Sequence, residues 1–166
     1  MAAFALAFTA CADSTVKLSE VHLCCDSCVK GAEKAVAKVD GSSVVCDKDA
    51  GTVTVTAADA ASVQKAVNAL VKAGYYGKSS DDSIKVKAKT GAKGEKVTTL
   101  DVSDVHLCCG KCAKAVNKAV MAVPGVTASA AEKGAKTFTV TGDFKDSDVM
   151  DALQKAGLTG TVGEAK

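Results

Sequence analysis

Six of the eight cysteines in this chain fall in two identical Cys-Cys-x-x-Cys patterns, a spacing suited to metal binding. The patterns comprise Cys24, Cys25 and Cys28 in the first half of the chain, and Cys108, Cys109 and Cys112 in the second. Thiolates bind soft cations, and Cu(I) accepts the low coordination number that two or three thiolates in one loop provide. A structural Zn(II) site has four ligands, so Cu(I) is the first candidate and Zn(II) or another soft metal ion the second.

Both cysteine patterns lie within an internal repeat. Val21-His22-Leu23-Cys24-Cys25 returns 84 positions later as Val105-His106-Leu107-Cys108-Cys109, and Ala73-Gly74 is matched by Ala156-Gly157. Each half has the periodicity and turn residues of a strand, a helix, two strands, a helix and a strand. This order predicts an α+β fold of two ferredoxin-like βαββαβ modules in tandem, each a four-stranded antiparallel sheet with two helices on one face.

Apolar spacing and turn residues set the expected bounds of these elements. The first half is predicted to contain a strand through Val16 and Leu18, a helix that carries Val29, Val36 and Val39 and ends at Asp40-Gly41, strands at 43–47 and 52–57, a helix through Val63 and Leu70 closed by Gly74, and a strand near Tyr75. The second half is predicted to contain a strand through Leu100 and Val102, a helix that carries Val116, Val120 and Val123 and stops at Pro124-Gly125, strands near 126–131 and 136–141, a helix through Val149 and Leu153, and a strand near 159–162. Cys28 and Cys112 then fall in first helical turns, where free N–H groups and the helix dipole favour a thiolate.

The loops and the element order together resemble the heavy-metal-associated domain family, which includes copper chaperones and the metal-binding domains of copper ATPases. The family pattern Gly-Met-x-Cys-x-x-Cys corresponds to residues 22–28 and 106–112. The resemblance implies that the metal ligands are Cys25 and Cys28 in the first module, and Cys109 and Cys112 in the second. It also implies that Leu23 and Leu107 replace a buried Met, and that Gly74-Tyr75 matches a Gly-Tyr whose aromatic ring lies near the metal, where the second module has Gly157-Leu158.

Two features of both loops depart from the family pattern. His22 and His106 replace its Gly, and they are either metal ligands, donors to the ligands, or half-exposed loop residues. Cys24 and Cys108 add a thiol at a variable position. Adjacent residues in extended backbone point to opposite sides, so these thiols either face away from the metal or bend in to give three-thiolate coordination.

The chain divides into a first module at 13–79, a Lys- and Gly-rich linker at 80–96, and a second module at 97–166. The linker composition predicts mobility, and the alternation at 84–87 would allow an added edge strand. Residues 1–12 are apolar and resemble a truncated signal peptide, with a lipid-anchoring site at Cys11 as one alternative and an untargeted tail as another. We therefore expect an exported protein, or a cytoplasmic one if this segment is not a signal, and no stable membrane span.

Charge and composition weigh against nucleic-acid binding. The chain has 21 Lys and Arg residues, all of them Lys, against 19 acidic residues. Arg is the usual bidentate reader of phosphate and guanine. RNA-binding modules with the same element order stack bases on aromatic residues of the central strands, and here those strands carry Val53 and Val55, or Phe138 and Val140.

A thiol–disulfide redox protein is the main alternative, because Cys-x-x-Cys at a helix start is also a redox arrangement. Its usual proline facing the thiols is lacking, since Pro124 follows a helix. The remaining cysteine of the first module, Cys46, is predicted to be a buried strand residue. We expect a non-enzymatic protein that carries, transfers or sequesters a metal ion, with a metal-transporting ATPase or another metal-accepting protein as its partner. Six thiols that face each other could hold a shared polynuclear cluster.

Overall fold

The computed structural model describes residues 13–163. The interpretations of residues 1–12, including Cys11, lie outside these described residues. Within 13–163, no helix is long and apolar enough to cross a membrane.

Each half of the chain forms a module with the predicted order of elements. The first contains β1 (Ser14–Ser19), α1 (Asp26–Val36), β2 (Ser42–Asp47), β3 (Thr52–Ala57), α2 (Ala60–Lys72) and β4 (Lys78–Ser79). The second contains β5 (Lys96–Ser103), α3 (Gly110–Met121), β6 (Val126–Ser129), β7 (Thr137–Lys145), α4 (Asp146–Lys155) and β8 (Thr161–Val162). The strands pair antiparallel in the orders β2-β3-β1-β4 and β6-β7-β5-β8. The prediction of two tandem ferredoxin-like α+β modules is therefore confirmed.

The core of each module lies where one face of the sheet meets its helices. On β3, Val53 and Val55 are buried and alternate with half-buried threonines, because successive strand side chains point to opposite faces. On α2, Val63, Val67 and Leu70 recur at helical spacing and are buried. Burying one such side chain contributes about 1.5–3 kcal/mol, which is sufficient to hold the helices against the sheet with few aromatic residues.

Several element ends differ from the sequence prediction. Helix α1 ends at Val36, and Val39 packs against the core from the turn that follows. The last strand of the first module is Lys78–Ser79, whereas Tyr75 forms a single bridge to Leu158 of the second module. Strand β7 continues to Lys145 past an irregularity in its pairing with β5.

The segment 80–96 is attached to both modules. Gln64 on α2 holds the backbone of Lys85 through hydrogen bonds of 2.7 and 2.8 Å. The carboxylate of Asp146 accepts hydrogen bonds of 2.7 and 2.8 Å from two backbone N–H groups of the segment. No strand forms at 84–87, because side chains rather than a neighbouring strand satisfy this backbone. Composition alone had suggested a free linker, and these contacts fix its path.

The two modules meet through the glycine turns that follow α2 and α4. The backbone N–H of His22 donates a 3.2 Å hydrogen bond to the carbonyl of Gly157. A Cβ atom on Gly157 would overlap the carbonyl of Glu20 and lie 2.5 Å from the backbone nitrogen of His22. A Cβ atom on Gly74 would lie 2.5 Å from the backbone nitrogen of His106. Each glycine turn thus packs on the cysteine loop of the other module, and the two loops are brought together.

Candidate metal centre

Each cysteine loop starts at a sharp bend after the first strand of its module. Glu20 and Asp104 both adopt φ 60, an uncommon conformation for residues with a side chain. The buried side chains of Leu23 and Leu107 then fix the loops in the core. These are the positions that the family resemblance assigns to a buried Met.

Helices α1 and α3 begin at cysteines instead of the usual capping residues. Cys25 and Cys109 occupy the N-cap positions in extended conformation, and neither side chain makes a capping hydrogen bond. Helix α2, in contrast, is capped by Asp59, whose carboxylate accepts a 2.7 Å hydrogen bond from the N–H of Ser62. A missing cap costs about 1 kcal/mol, so α1 and α3 give up stability where their positive dipole ends face the thiols.

The six patterned thiols form one cluster between the modules. Sulfur–sulfur distances are 3.6–3.7 Å within a loop and 3.4–3.8 Å between loops. The Sγ atom of Cys24 lies 3.4 Å from those of Cys109 and Cys112, and that of Cys108 lies 3.5 Å from that of Cys28. The sequence left the direction of Cys24 and Cys108 open, and the structure brings both into the cluster.

Within this cluster, four trios of thiols have all three sulfurs within 3.8 Å of each other. The trios are Cys24 with Cys28 and Cys112, Cys28 with Cys108 and Cys112, Cys25 with Cys28 and Cys108, and Cys24 with Cys109 and Cys112. Each of these four trios combines both modules, whereas the looser group of Cys24, Cys25 and Cys28, within 4.8 Å of one another, belongs to the first module alone. Three thiolates about 2.3 Å from one ion in their plane lie about 4.0 Å apart. Small outward shifts of the sulfurs would therefore turn each trio into a three-coordinate site.

The cluster has a buried centre and a partly exposed rim. Cys28 and Cys112 are 0% exposed, and their sulfurs lie 3.7 Å apart at the centre. The four rim thiols are partly exposed and belong to Cys24, Cys25, Cys108 and Cys109. A bound ion would be shielded from water at the centre and reachable from the rim.

The central thiols differ in how readily they ionise. The hydrogen bond from Cys112, with others from His106 and Cys108, lowers the pKa of Cys28 to about 2 against an opposing effect of burial. The same hydrogen bond, together with burial, raises the pKa of Cys112. The central pair thus releases one proton readily and holds the second tightly.

The rim thiols are also unequal. Burial raises the pKa of Cys24 to about 12 and also raises that of Cys108. The backbone N–H of Cys112 lowers the pKa of Cys109 to about 6. Cys28 and Cys109 therefore supply thiolates at neutral pH, and a metal ion has to displace protons from other thiols.

An aromatic pair covers one side of the cluster. The hydroxyl of Tyr75 donates a 2.7 Å hydrogen bond to the backbone carbonyl of Cys28 and lies 3.1 Å from Nε2 of His106. The two rings are 4.5 Å apart. A Cβ atom on Gly31 would overlap the hydroxyl of Tyr75, so the glycine makes room for this pair. The aromatic residue of the first module thus lies beside the cluster, as the family resemblance implied.

The opposite side of the cluster lacks this pair. Leu158 occupies the place of Tyr75, and Ala115 occupies the place of Gly31. Nε2 of His22 is buried and has no hydrogen-bond partner within residues 13–163. A ring nitrogen of His22 and the sulfurs of Cys24 and Cys112 all lie within 4.8 Å of one another.

The residues that join the two modules could not be predicted from the sequence. The sequence predicts that Gly74 and Gly157 follow helices, and the family resemblance places Gly74 before an aromatic residue near the metal, but neither indicates that each glycine packs on the other module. Gly31, inside a helix, was a visible signal. Cys46 lies outside the cluster and is half-buried rather than fully buried, because it is on edge strand β2. Burial raises its pKa to about 11.

Comparison with known proteins identifies the second module. Residues 99–159 match the family model of the heavy-metal-associated domain. No curated protein matches the chain.

Several solved structures resemble the chain at low TM-scores. The N-terminal soluble domains of Bacillus subtilis CopA have 19% identity and a TM-score of 0.34, with 93% of this chain and 97% of that chain covered. The water-soluble region of the P-type ATPase CopA from Bacillus subtilis has 16% identity and a TM-score of 0.31, with 92% of each chain covered. The first two RRM domains of the yeast poly(U)-binding protein Pub1 have 11% identity and a TM-score of 0.28, with 92% of this chain and 100% of that chain covered. At these TM-scores, the likenesses carry no functional argument.

The family match agrees with the thiol cluster, since heavy-metal binding is the role that both indicate. The second half of this chain belongs to the heavy-metal-associated domain family, and the first half repeats that domain's element order and its cysteine loop.

Proposed function

We propose that this protein binds Cu(I) through Cys24, Cys25, Cys28, Cys108, Cys109 and Cys112, in a cluster shared by the two modules, for metal carriage, transfer or sequestration. The observation that carries the proposal is that all four trios with sulfurs within 3.8 Å of one another contain sulfurs of both modules. Two independent sites, one for each Cys-x-x-Cys loop, would not need the loops to meet.

Coordination number favours Cu(I) over Zn(II). Among the six cluster thiols, no more than three sulfurs are all within 3.8 Å of one another. Three thiolates suit Cu(I), whereas structural Zn(II) is almost always tetrahedral with four ligands. Because the central sulfurs of Cys28 and Cys112 each belong to three trios, the proposed ions share bridging thiolates.

The surroundings of the cluster support an anionic metal–thiolate complex. Helices α1 and α3 both begin at a cluster cysteine, so the positive ends of two helix dipoles face the thiolates. Cu(I) would replace the protons that Cys24 and Cys108 retain at neutral pH because burial raises their pKa values. Binding should therefore release protons and weaken as pH falls.

Transfer by thiolate exchange would use the rim of the cluster. Cys25 and Cys109 are partly exposed, and their sulfurs lie 3.7 Å apart. An incoming thiolate from a metal-transporting ATPase or another metal-accepting protein could displace them one at a time. The buried Cys28 and Cys112 would retain the ion until the exchange is complete.

The test is an anaerobic titration of the reduced full chain with Cu(I) and Zn(II) against competing chelators, counting ions per chain. We expect more than two Cu(I) ions per chain, copper–copper scattering in the X-ray absorption spectrum, and much weaker Zn(II) binding. The Cys24→Ser/Cys108→Ser double variant should lose part of this capacity. Cys46→Ser is the matched control, since that thiol lies outside the cluster, and it should leave the stoichiometry unchanged.

Two results would contradict the proposal. Two mononuclear Cu(I) ions per chain, with no effect of the double variant, would mean that each loop binds separately through its Cys-x-x-Cys pair. No tight binding of either ion, together with a readily cycled Cys25–Cys28 disulfide, would favour a thiol–disulfide redox protein.

A further inference from the structure

We propose that His22, Cys24 and Cys112 form a nitrogen–sulfur site for one Cu(I) ion at one end of the thiol cluster, and that His106 forms no such site. This inference rests on the proposed function, since it concerns how the cluster is completed. It divides the two repeated histidines into one ligand and one supporting residue.

The position of His22 makes it a ligand candidate. A ring nitrogen of His22 lies within 4.8 Å of the sulfurs of Cys24 and Cys112, which are themselves 3.4 Å apart. Three donors at this separation can close on one ion with small movements. Imidazole and thiolate are both ligands of copper, so the three groups are chemically matched.

His22 has a buried ring nitrogen whose bonding capacity a metal ion would satisfy. Its Nε2 atom is buried and has no hydrogen-bond partner among the described residues. Burying an unpaired polar atom costs about 1–3 kcal/mol. The backbone N–H of His22 donates a hydrogen bond to the carbonyl of Gly157, which holds the backbone of the residue beside the cluster. Coordination, directly or after a ring flip, would remove this cost.

His106 has the same place in the repeat but different neighbours. Tyr75 has one O–H group, and it donates to the backbone carbonyl of Cys28. The Tyr75 oxygen, 3.1 Å from Nε2 of His106, is therefore free to accept a hydrogen bond from an Nε2–H group. Nε2 of His106, once it carries this proton, cannot bind a metal ion.

The His22 end of the cluster is also open to incoming ions. His22 and Cys24 line a surface depression of about 430 Å³. The nitrogen–sulfur site thus lies between this opening and the buried central thiol of Cys112. We infer that it is a point of entry into the cluster.

The test uses the fact that the chain has two histidines. In uniformly ¹⁵N-labelled full-length protein, long-range ¹H–¹⁵N spectra of the imidazole rings are recorded before and after anaerobic loading with Cu(I). One ring, absent from the spectrum of His22→Gln, should show the large shift of a coordinated nitrogen, while the ring absent from His106→Gln should keep its uncoordinated pattern. His22→Gln should bind one Cu(I) fewer per chain than the wild type, and His106→Gln should bind as many.

The imidazole spectra of the wild type do not depend on whether a variant folds. Backbone amide spectra show whether His22→Gln and His106→Gln are folded. The inference is overturned if neither imidazole shifts, if both shift alike, or if the two variants bind equal numbers of ions. If only this inference fails, the Cu(I)-loaded protein will still show thiolate–Cu(I) absorption in the ultraviolet. A chain that gives no such absorption with all thiols reduced would overturn the proposed function as well.

Discussion

The two sides of the thiol cluster have nearly the same backbone and different side chains around it. On one side, Tyr75 and His106 stack over Gly31 and support the carbonyl of Cys28. On the other side, Leu158 leaves the Nε2 atom of His22 without a partner. The cysteines are repeated in pairs, so the difference lies wholly in the residues that surround them.

This difference shows how one duplicated loop can give two unequal environments. A single tyrosine hydroxyl holds a histidine nitrogen on one side, and a leucine cannot do so on the other. Gly31 lies on the side with the tyrosine and Ala115 on the side without it, because a Cβ atom at position 31 would overlap the Tyr75 hydroxyl. The unequal sides can be tested by variants that disturb one of them or convert it into the other.

The largest effect is expected from changes that separate the modules. Gly157→Ala places a Cβ atom on the backbone of Glu20 and His22, and Gly74→Ala places one 2.5 Å from the backbone nitrogen of His106. Backbone atoms cannot rotate away, so each variant should open the contact between the loops. We expect a loss of about 3 kcal/mol in the free energy of unfolding by urea, from overpacking and from the positive φ. Cu(I) stoichiometry should fall in parallel.

Two other glycines provide matched controls for these variants. Gly41 has φ 70 and Gly134 has φ 77, and neither would place a Cβ atom within 4 Å of another residue. Their substitution by Ala should cost only the backbone strain, about 1–2 kcal/mol, and leave the metal stoichiometry intact. If all four variants lose the same stability and bind the same number of ions, the glycine turns do not hold the loops together.

The next effect is expected from removing the Tyr75 hydroxyl. Tyr75→Phe leaves the carbonyl of Cys28 without its 2.7 Å hydrogen bond and His106 without its partner. A buried unsatisfied group costs about 1–3 kcal/mol, which thermal or urea unfolding of the metal-free protein would measure. Tyr76→Phe is the control, and it should change stability by less than about 0.5 kcal/mol. Equal effects of the two variants would mean that Tyr75 acts only through packing.

Much of the fold follows from local patterns in the sequence. The alternation of Thr52 to Ala57 predicted β3 with its observed bounds, since one face of that strand is buried and the other is not. The end of α2 was equally clear, because Gly74 adopts φ 88, which few other residues tolerate. The end of α1 was less predictable, since Val39 keeps the helical spacing but packs on the core from a turn.

The composition of the cluster was predictable, and its closure between the modules was not. Thiol spacing identified the six cysteines, but the direction of Cys24 depends on the bend at Glu20, where a non-glycine residue adopts φ 60. The meeting of the loops depends on Gly157 packing against the distant His22. Such long-range contacts leave no periodic signal. The division between His22 and His106 has the same origin, because it is set by residues from the other module.

A smaller effect is expected in the ionisation of the thiols. The pKa of Cys109 is lowered to about 6 by the backbone N–H of Cys112, and that of Cys46 is raised to about 11 by burial. Iodoacetamide reacts with thiolates, so labelling of Cys109 in the metal-free protein should rise with a midpoint near pH 6. Labelling of Cys46 should rise only toward pH 11. At pH 7.5, we expect Cys109 to react on the order of 10-fold faster, because its larger thiolate fraction outweighs its lower nucleophilicity.

These pKa shifts also determine the sign of the pH dependence of stability. The lowered pKa of Cys109 contributes stability above its unfolded value of about 8.5, which is lost as pH falls through 6. The raised pKa of Cys46 contributes stability below that unfolded value, which is lost as pH rises through 11.

Peptide mapping by mass spectrometry measures the iodoacetamide labelling of Cys109 and Cys46 separately. Equal labelling rates at every pH would contradict the assignment.

The smallest effect, and the sharpest test of the two unequal sides, is the coupling between positions 31 and 75. Gly31→Ala should be destabilising despite the better helix propensity of Ala, since its Cβ atom would overlap the Tyr75 hydroxyl and lie 2.8 Å from Cε1 of His106. Adding Tyr75→Leu recreates the combination found at Ala115 and Leu158. The double-mutant cycle should then give a coupling of about 1 kcal/mol in favour of the pair.

The reciprocal change Ala115→Gly serves as a control for this cycle. In the wild type, Ala115→Gly should lower the free energy of unfolding by about 1 kcal/mol from helix propensity alone. In a Leu158→Tyr background the loss should be smaller, because the glycine then provides the tyrosine with the space that Gly31 provides on the other side. Additive effects of Gly31→Ala and Tyr75→Leu would show that the glycine does not make room for the tyrosine. The unequal sides would then differ only in their histidines, and the Tyr75 hydroxyl would need another explanation for its place beside Cys28.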